Sequence, residues 1–146
     1  MRFRLLTLAA LGAAAATAGL AACEPNAPTI SPTAPRETFS AQLSGSAEVP
    51  PVTTTASGSA TVTFLDSNTI RYEVLVRGLT GVTQAHIHAG PAGANGPVMV
   101  FLFPQQATPT GALTGVLRQA DISRTSTFVG AFNFDSLARR IRAGTA

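Results

Sequence analysis

The sequence predicts an all-β domain, an antiparallel sandwich or barrel with one short helix near its C-terminus. Two observations lead there. Short segments in which apolar and polar residues alternate recur about every ten residues, separated by Gly, Pro, Asn and Asp, as antiparallel strands and their turns require. Only one stretch, from Phe134, carries helical spacing with end signals. At 146 residues the chain has room for one domain.

The elements follow in order from Thr38, where the folded part should begin. Phe39, Ala41 and Leu43 alternate with Ser40, Gln42 and Ser44, and Ala60, Val62 and Phe64 alternate with Ser59, Thr61 and Thr63. Asp66-Ser67-Asn68 breaks the pattern, and Ile70, Tyr72, Val74 and Val76 then alternate with Arg71, Glu73 and Arg77, so a half-buried strand should pair with its predecessor as a hairpin. Gly78 and Gly81 punctuate its end. Residues 82–89 carry the histidines. Val98-Met99-Val100-Phe101-Leu102-Phe103 is apolar at every position, as expected of a strand covered on both sides; a buried helical turn is the alternative, but Pro97 and Pro104 leave a strand-sized interval. Two more strands are expected at residues 111–118 and 127–132. In the final helix Asp135 can cap, Leu137 and Ile141 share a face, Arg139, Arg140 and Arg142 complement the dipole, and Gly144 can close it.

Two repeats dissolve on inspection. Ser44-Gly45-Ser46-Ala47 and Ser57-Gly58-Ser59-Ala60 are too short to define a unit. Gly90, Gly93 and Gly96 imitate collagen triplets but are too few, so a loop is expected.

Upstream of the domain the sequence reads as an address. Arg2 and Arg4 precede an apolar run over residues 5–18, the pattern of a secretory signal peptide over residues 1–22, with an N-terminal anchor helix as the alternative. The run is too short and Ala-rich for a membrane span of about 20 residues. Leu20-Ala21-Ala22-Cys23 resembles the bacterial lipobox, which implies cleavage before Cys23 and a diacylglyceryl group on its thiol. Cys23 is the only cysteine and has no intramolecular disulfide partner, which lipidation explains. Each buried acyl methylene is worth about 0.8 kcal/mol, so a multiply acylated cysteine holds a protein to a bilayer. Residues 23–37 then form a tether: Pro25, Pro28, Pro32 and Pro35 lie among small and polar residues that cannot build a core. The expected location is the bacterial cell envelope, facing the periplasm or the cell surface, and Glu24 after the cysteine leans toward the outer membrane in a diderm host.

The formal charge of +3 says little about nucleic acid, because cleavage removes Arg2 and Arg4 and leaves the mature chain near neutrality. Arg139, Arg140 and Arg142 are the one basic cluster and lack the stacking aromatics of single-strand binders, so a solvated helix face is expected and nucleic acid is excluded as a partner.

The order of motifs resembles the CHRD family, first described in chordin and common in bacterial envelope proteins. The resemblance is carried by Phe39 to Leu43, Gly45 with Glu48-Val49-Pro50-Pro51, Ser57-Gly58, Ile70 to Val76 with Gly78-Leu79, Ala85-His86-Ile87-His88 with Gly90 and Gly93, Gly96-Pro97-Val98, Gly111-Ala112-Leu113-Thr114-Gly115, and the helix from Phe134 to Gly144. It covers roughly residues 38–144. The resemblance implies a β-sandwich of the Greek-key kind found in superoxide dismutases and immunoglobulins, and the His-x-His strand is similar to the copper-ligand strand of copper/zinc superoxide dismutases. In the family a closing strand follows the helix, often with another histidine; this sequence stops at Ala146, so the expectation is either that the sequence is a fragment or that the domain over residues 38–146 lacks that edge strand.

His86 and His88 are the candidate site. On a strand their imidazoles would project from one face about 7 Å apart while Ile87 packs the other way. Two imidazoles are a partial metal site, with copper the first candidate. The acids Glu48, Asp66, Glu73, Asp121 and Asp135 show no ligand-like spacing to the pair. The alternative is that one ring satisfies the following turn and the other faces solvent. Dismutase activity is rejected because no histidine remains for a third ligand or a bridge. Hydrolysis lacks Gly-x-Ser-x-Gly, and a set of Ser57 or Ser59, a histidine and Asp66 is one any chain could offer. Phosphate binding at residues 90–96 lacks the Lys-Ser/Thr that would follow the glycines. The expected function is therefore a non-enzymatic, lipid-anchored envelope module that binds a protein, glycan or matrix partner; the alternative is metal capture by His86 and His88.

Overall fold

The computed structural model describes residues 36–146. The signal peptide, Cys23 and nearly all of the tether lie outside them. Six strands and one helix make up the domain: β1 Thr38–Ser44, β2 Ser57–Phe64, β3 Thr69–Leu79, β4 Ala85–His88, β5 Val98–Phe103, β6 Leu113–Ser123 and α1 Phe134–Arg142. A four-stranded sheet has the order β1-β2-β3-β6, and β4 and β5 form a second, two-stranded sheet. All pairings are antiparallel. The chain thus builds a three-strand meander, crosses to the second sheet for one hairpin, and returns to lay β6 beside β3. The all-β sandwich with a short C-terminal helix is the predicted architecture.

Alternation decides which face is covered. Phe39, Ala41 and Leu43 of β1, Ala60, Val62 and Phe64 of β2, and Ile70, Tyr72, Val74 and Val76 of β3 are buried, while the residues between them form the outer face. Ile87, Met99, Val100 and Leu102 of the second sheet, with Leu137 and Ile141 of α1, complete one core. The β2–β3 hairpin turns where Asp66-Ser67-Asn68 predicts, with Asp66 Oδ1 accepting from the Asn68 amide at 2.7 Å, the local bond that favours Asp in turns.

The helix needs one correction. Asn133, not Asp135, is the N-cap: its side chain accepts from the Ser136 amide at 2.9 Å and the Ser136 hydroxyl accepts from the Asn133 amide at 3.0 Å. Asp135 sits in the first turn, where it binds Arg124 through both carboxylate oxygens, at 2.7 and 2.8 Å. Arg124 also reaches Asn68 and Ser67, so it ties the hairpin turn to the start of the helix. Gly144 closes α1 at φ +65° as expected. The arginine cluster is not simply solvated. Arg142 pairs with Glu37 at 2.7 Å and lies 4.1 Å from the centre of the Phe64 ring.

Two strand expectations change. The strand expected at residues 111–118 runs instead over Leu113–Ser123, long enough to accompany β3, with Gly115 at φ +124° beside a register shift. Residues 127–132 form no strand. They turn, with Gly130 at φ +61°, and one amide, Val129, donates to Met99 O of β5 at 2.9 Å. Apolar content there serves packing: Phe128 and Phe132 lean on the core from outside any ladder.

Candidate functional site

β4 is only four residues long, and its hairpin with β5 is irregular. Ala85 opposes Phe103 and His86 opposes Phe101, which leaves Leu102 opposite no residue; Ile87 opposes Val100 and His88 opposes Val98, which leaves Met99 in the same position. Each is a β-bulge, an extra residue that falls out of the ladder and sharpens the local twist. Their carbonyls find partners elsewhere. Leu102 O accepts from the Tyr72 hydroxyl at 2.6 Å, across the sandwich, and Met99 O accepts from Val129 N. The two bulges bracket Ile87, whose side chain is buried in the core as predicted.

His86 and His88 come together as their alternation requires, and more closely than backbone spacing suggests. The ring centroids are 4.4 Å apart with the planes at 79°, one imidazole edge-on to the other. His86 also meets the Phe101 ring edge-on at 5.6 Å. The expectation that one ring faces solvent is overturned: His86 is only 2% exposed and His88 half-buried. The other half of that expectation holds. His88 Nδ1 lies 2.6 Å from Gly96 O in the following turn. A carbonyl only accepts, so Nδ1 carries the proton in this bond.

The turn is built for that contact. Ala89 N donates to Pro97 O at 2.9 Å, and a Cβ on Gly96 would overlap the Ala89 carbonyl, so only glycine closes the loop here. Asn95 Nδ2 donates to Val49 O at 3.1 Å and fastens the loop to the segment carrying Glu48, which is buried. Burial of Glu48 and His86 is not legible in the sequence, because the depth of a side chain is set by packing partners distant along the chain. Among the described residues, no group of three or more His, Cys, Asp and Glu side chains is placed to hold a metal ion. The serines considered as nucleophiles, Ser57 and Ser59, lie on β2 of the four-stranded sheet, and the histidines on β4 of the other.

The strand expected to be covered on both sides is exposed at one residue. Met99, Val100 and Leu102 are buried, but Phe101 is 41% exposed, beside Val129, over a shallow hollow between β5 and β6. The bulges reset which residues of β5 face inward, so strict alternation does not describe it.

Comparison with known proteins agrees with this architecture. The family model described as the CHRD domain matches residues 39–144, and no curated protein and no solved structure matches the chain. The match takes in every strand, the histidine hairpin and the helix, and the chain therefore belongs to the CHRD-domain family.

Proposed function

We infer that this CHRD domain is a non-catalytic binding module, held to the bacterial envelope by a lipid on Cys23 and presented on the proline-rich tether. One observation carries the non-catalytic part: the chemistry-bearing side chains are dispersed. Ser57 and Ser59 sit on one sheet, Asp66 in a hairpin turn, and the imidazoles on the other sheet, which supports no nucleophile–base–orienter chain. The lipobox-like Leu20-Ala21-Ala22-Cys23 supports the anchor. The test has two parts. Cells fed an alkynyl fatty acid should label the wild-type chain and not Cys23→Ser, and a cleavable crosslinker applied to intact cells should join the chain to an envelope component. A Cys23→Ser chain that labels equally contradicts the anchor, and absence of any crosslinked partner contradicts the binding role.

A second reading, copper capture by His86 and His88, is favoured by the ring pair. Metal-bound histidines usually donate their other ring N–H to a carbonyl or carboxylate, which is the bond His88 Nδ1 makes to Gly96 O. Two imidazoles 4.4 Å apart suit neighbouring positions on one ion, and affinity for nitrogen ligands peaks at copper. Bound copper would be polarising or redox-active; the chain itself contributes the two imidazoles and the Gly96 carbonyl that orients one of them. Titration with copper(II) decides it: the His86→Ala/His88→Ala chain should bind at least tenfold more weakly, and equal affinity ends the idea.

A further inference from the structure

The outer face of the four-stranded sheet is open, and its composition is specific. Strand register places Gln42, Ser59, Leu75 and Val116 in one row across β1, β2, β3 and β6, and Ser57 beside Arg77 in the next. Four strands at about 4.8 Å spacing make the row roughly 14 Å wide. A hollow of about 450 Å³ lies along it, lined by Gln42, Ser57, Ser59, Leu75, Arg77 and Thr114. Ser57, Ser59, Thr114 and Gln42 give it hydroxyls and an amide, which donate and accept hydrogen bonds, beside Leu75, Val76 and two glycines. At its border Leu75 and its cross-strand partner Val116 are exposed, at 39% and 53%, and form a small aliphatic step.

Arg77 is the cation of this hollow. The three ion pairs found among the described residues use Arg71, Arg124 and Arg142; Arg77 is in none of them and is exposed at the edge of the hollow. A guanidinium presents a planar fork that matches a carboxylate.

We propose that this face binds an acidic polysaccharide, with Arg77 seating a sugar carboxylate, Gln42, Ser57 and Ser59 meeting ring hydroxyls, and Leu75 and Val116 supporting the apolar side of a neighbouring ring. The proposal rests on the binding-module reading and names its partner class. The chemistry selects this occupant over two others. Protein interfaces centre on aromatic anchors, whereas the outward residues of β1, β2 and β3 include none. Anionic lipid surfaces attract clusters of four or more basic residues, whereas this hollow has a single arginine.

The test uses the full mature chain in detergent, with polygalacturonate as the probe, dextran as a neutral polymer and phosphatidylglycerol vesicles as a lipid surface. Polygalacturonate should bind, and dextran should bind at least tenfold more weakly. Arg77→Gln should lower polygalacturonate affinity about tenfold with an unchanged circular-dichroism spectrum, since the side chain is exposed, while Arg118→Gln on β6 should leave it as it is. Added salt should weaken the wild type more than Arg77→Gln. Equal binding by wild type and Arg77→Gln, equal binding of dextran, or binding to the vesicles alone overturns the proposal. If the wild type ignores all three probes yet still crosslinks to an envelope component in cells, the polysaccharide assignment falls and the binding-module reading stands; if it crosslinks to nothing, that reading falls too.

Discussion

Tyr72→Phe isolates one hydrogen bond between the two sheets. The ring is 4% exposed and keeps its packing in the variant, so apolar burial is conserved. The hydroxyl is lost, and with it the donor 2.6 Å from Leu102 O. Leu102 is a bulged residue that opposes nothing on β4, so its carbonyl depends on this donor rather than on a regular ladder position. Stranding a buried acceptor costs about 1–3 kcal/mol. We expect a loss of about 1.5 kcal/mol in urea unfolding at pH 7, measured on soluble chains in which Cys23 is Ser, with an unchanged denaturant slope. A second signature is alkaline. Burial pushes the Tyr72 phenol above its ordinary value, with Arg118 opposing the shift. An unfolded tyrosine titrates near pH 10, so above that value the unfolded chain has released a proton that the folded chain still holds, and stability falls as pH rises through the folded value. Wild type should lose stability faster than Tyr72→Phe as pH rises above about 10. A Phe variant within about 0.3 kcal/mol of wild type at pH 7, or one with the same alkaline decline, would refute the assignment of this hydroxyl as the bulge's partner.

Further predictions concern the loop, the cap, the helix tie and acid. Gly96→Ala forces a methyl into the Ala89 carbonyl and should destabilise by roughly 1–3 kcal/mol, and the His88 imidazole resonances should shift with it in NMR spectra. Asn133→Ala removes the acceptor for the Ser136 amide and should cost about 1 kcal/mol in thermal or urea unfolding. Arg142→Ala loses the contact with the Phe64 ring and the pair with Glu37; about 1 kcal/mol is expected, with Arg142→Lys recovering less than half because an ammonium cannot keep the bidentate pair. Arg71 holds the Asp121 carboxyl below its ordinary value, chiefly by hydrogen bonding, and Arg124 does the same for Asp135. For a depressed carboxylate the contribution is complete above the unfolded value near pH 4 and is lost as pH falls through the lower folded value, so acid unfolding should begin earlier in wild type than in Asp121→Asn once the two are matched at pH 7.

The sequence by itself determined the strands β1 to β3, their hairpin, the helix and its glycine stop, because these are local: alternation, an Asx turn and capping are written within a few residues of where they act. It also placed His86 and His88 on one side of β4, since a two-residue period leaves no other choice. Only the tertiary structure decided the rest. The bulges at Met99 and Leu102 arise from pairing with β4, Val129 and Tyr72, none of which is a sequence neighbour, and they turned Phe101 outward where its apolar surroundings suggested burial. His86 and Glu48 are buried although nothing in the local pattern marks them, and residues 127–132, apolar enough for a strand, turn instead and meet β5 through one amide. Which face of a strand is covered, and whether a segment pairs at all, is a property of distant partners, so periodicity alone could not carry it.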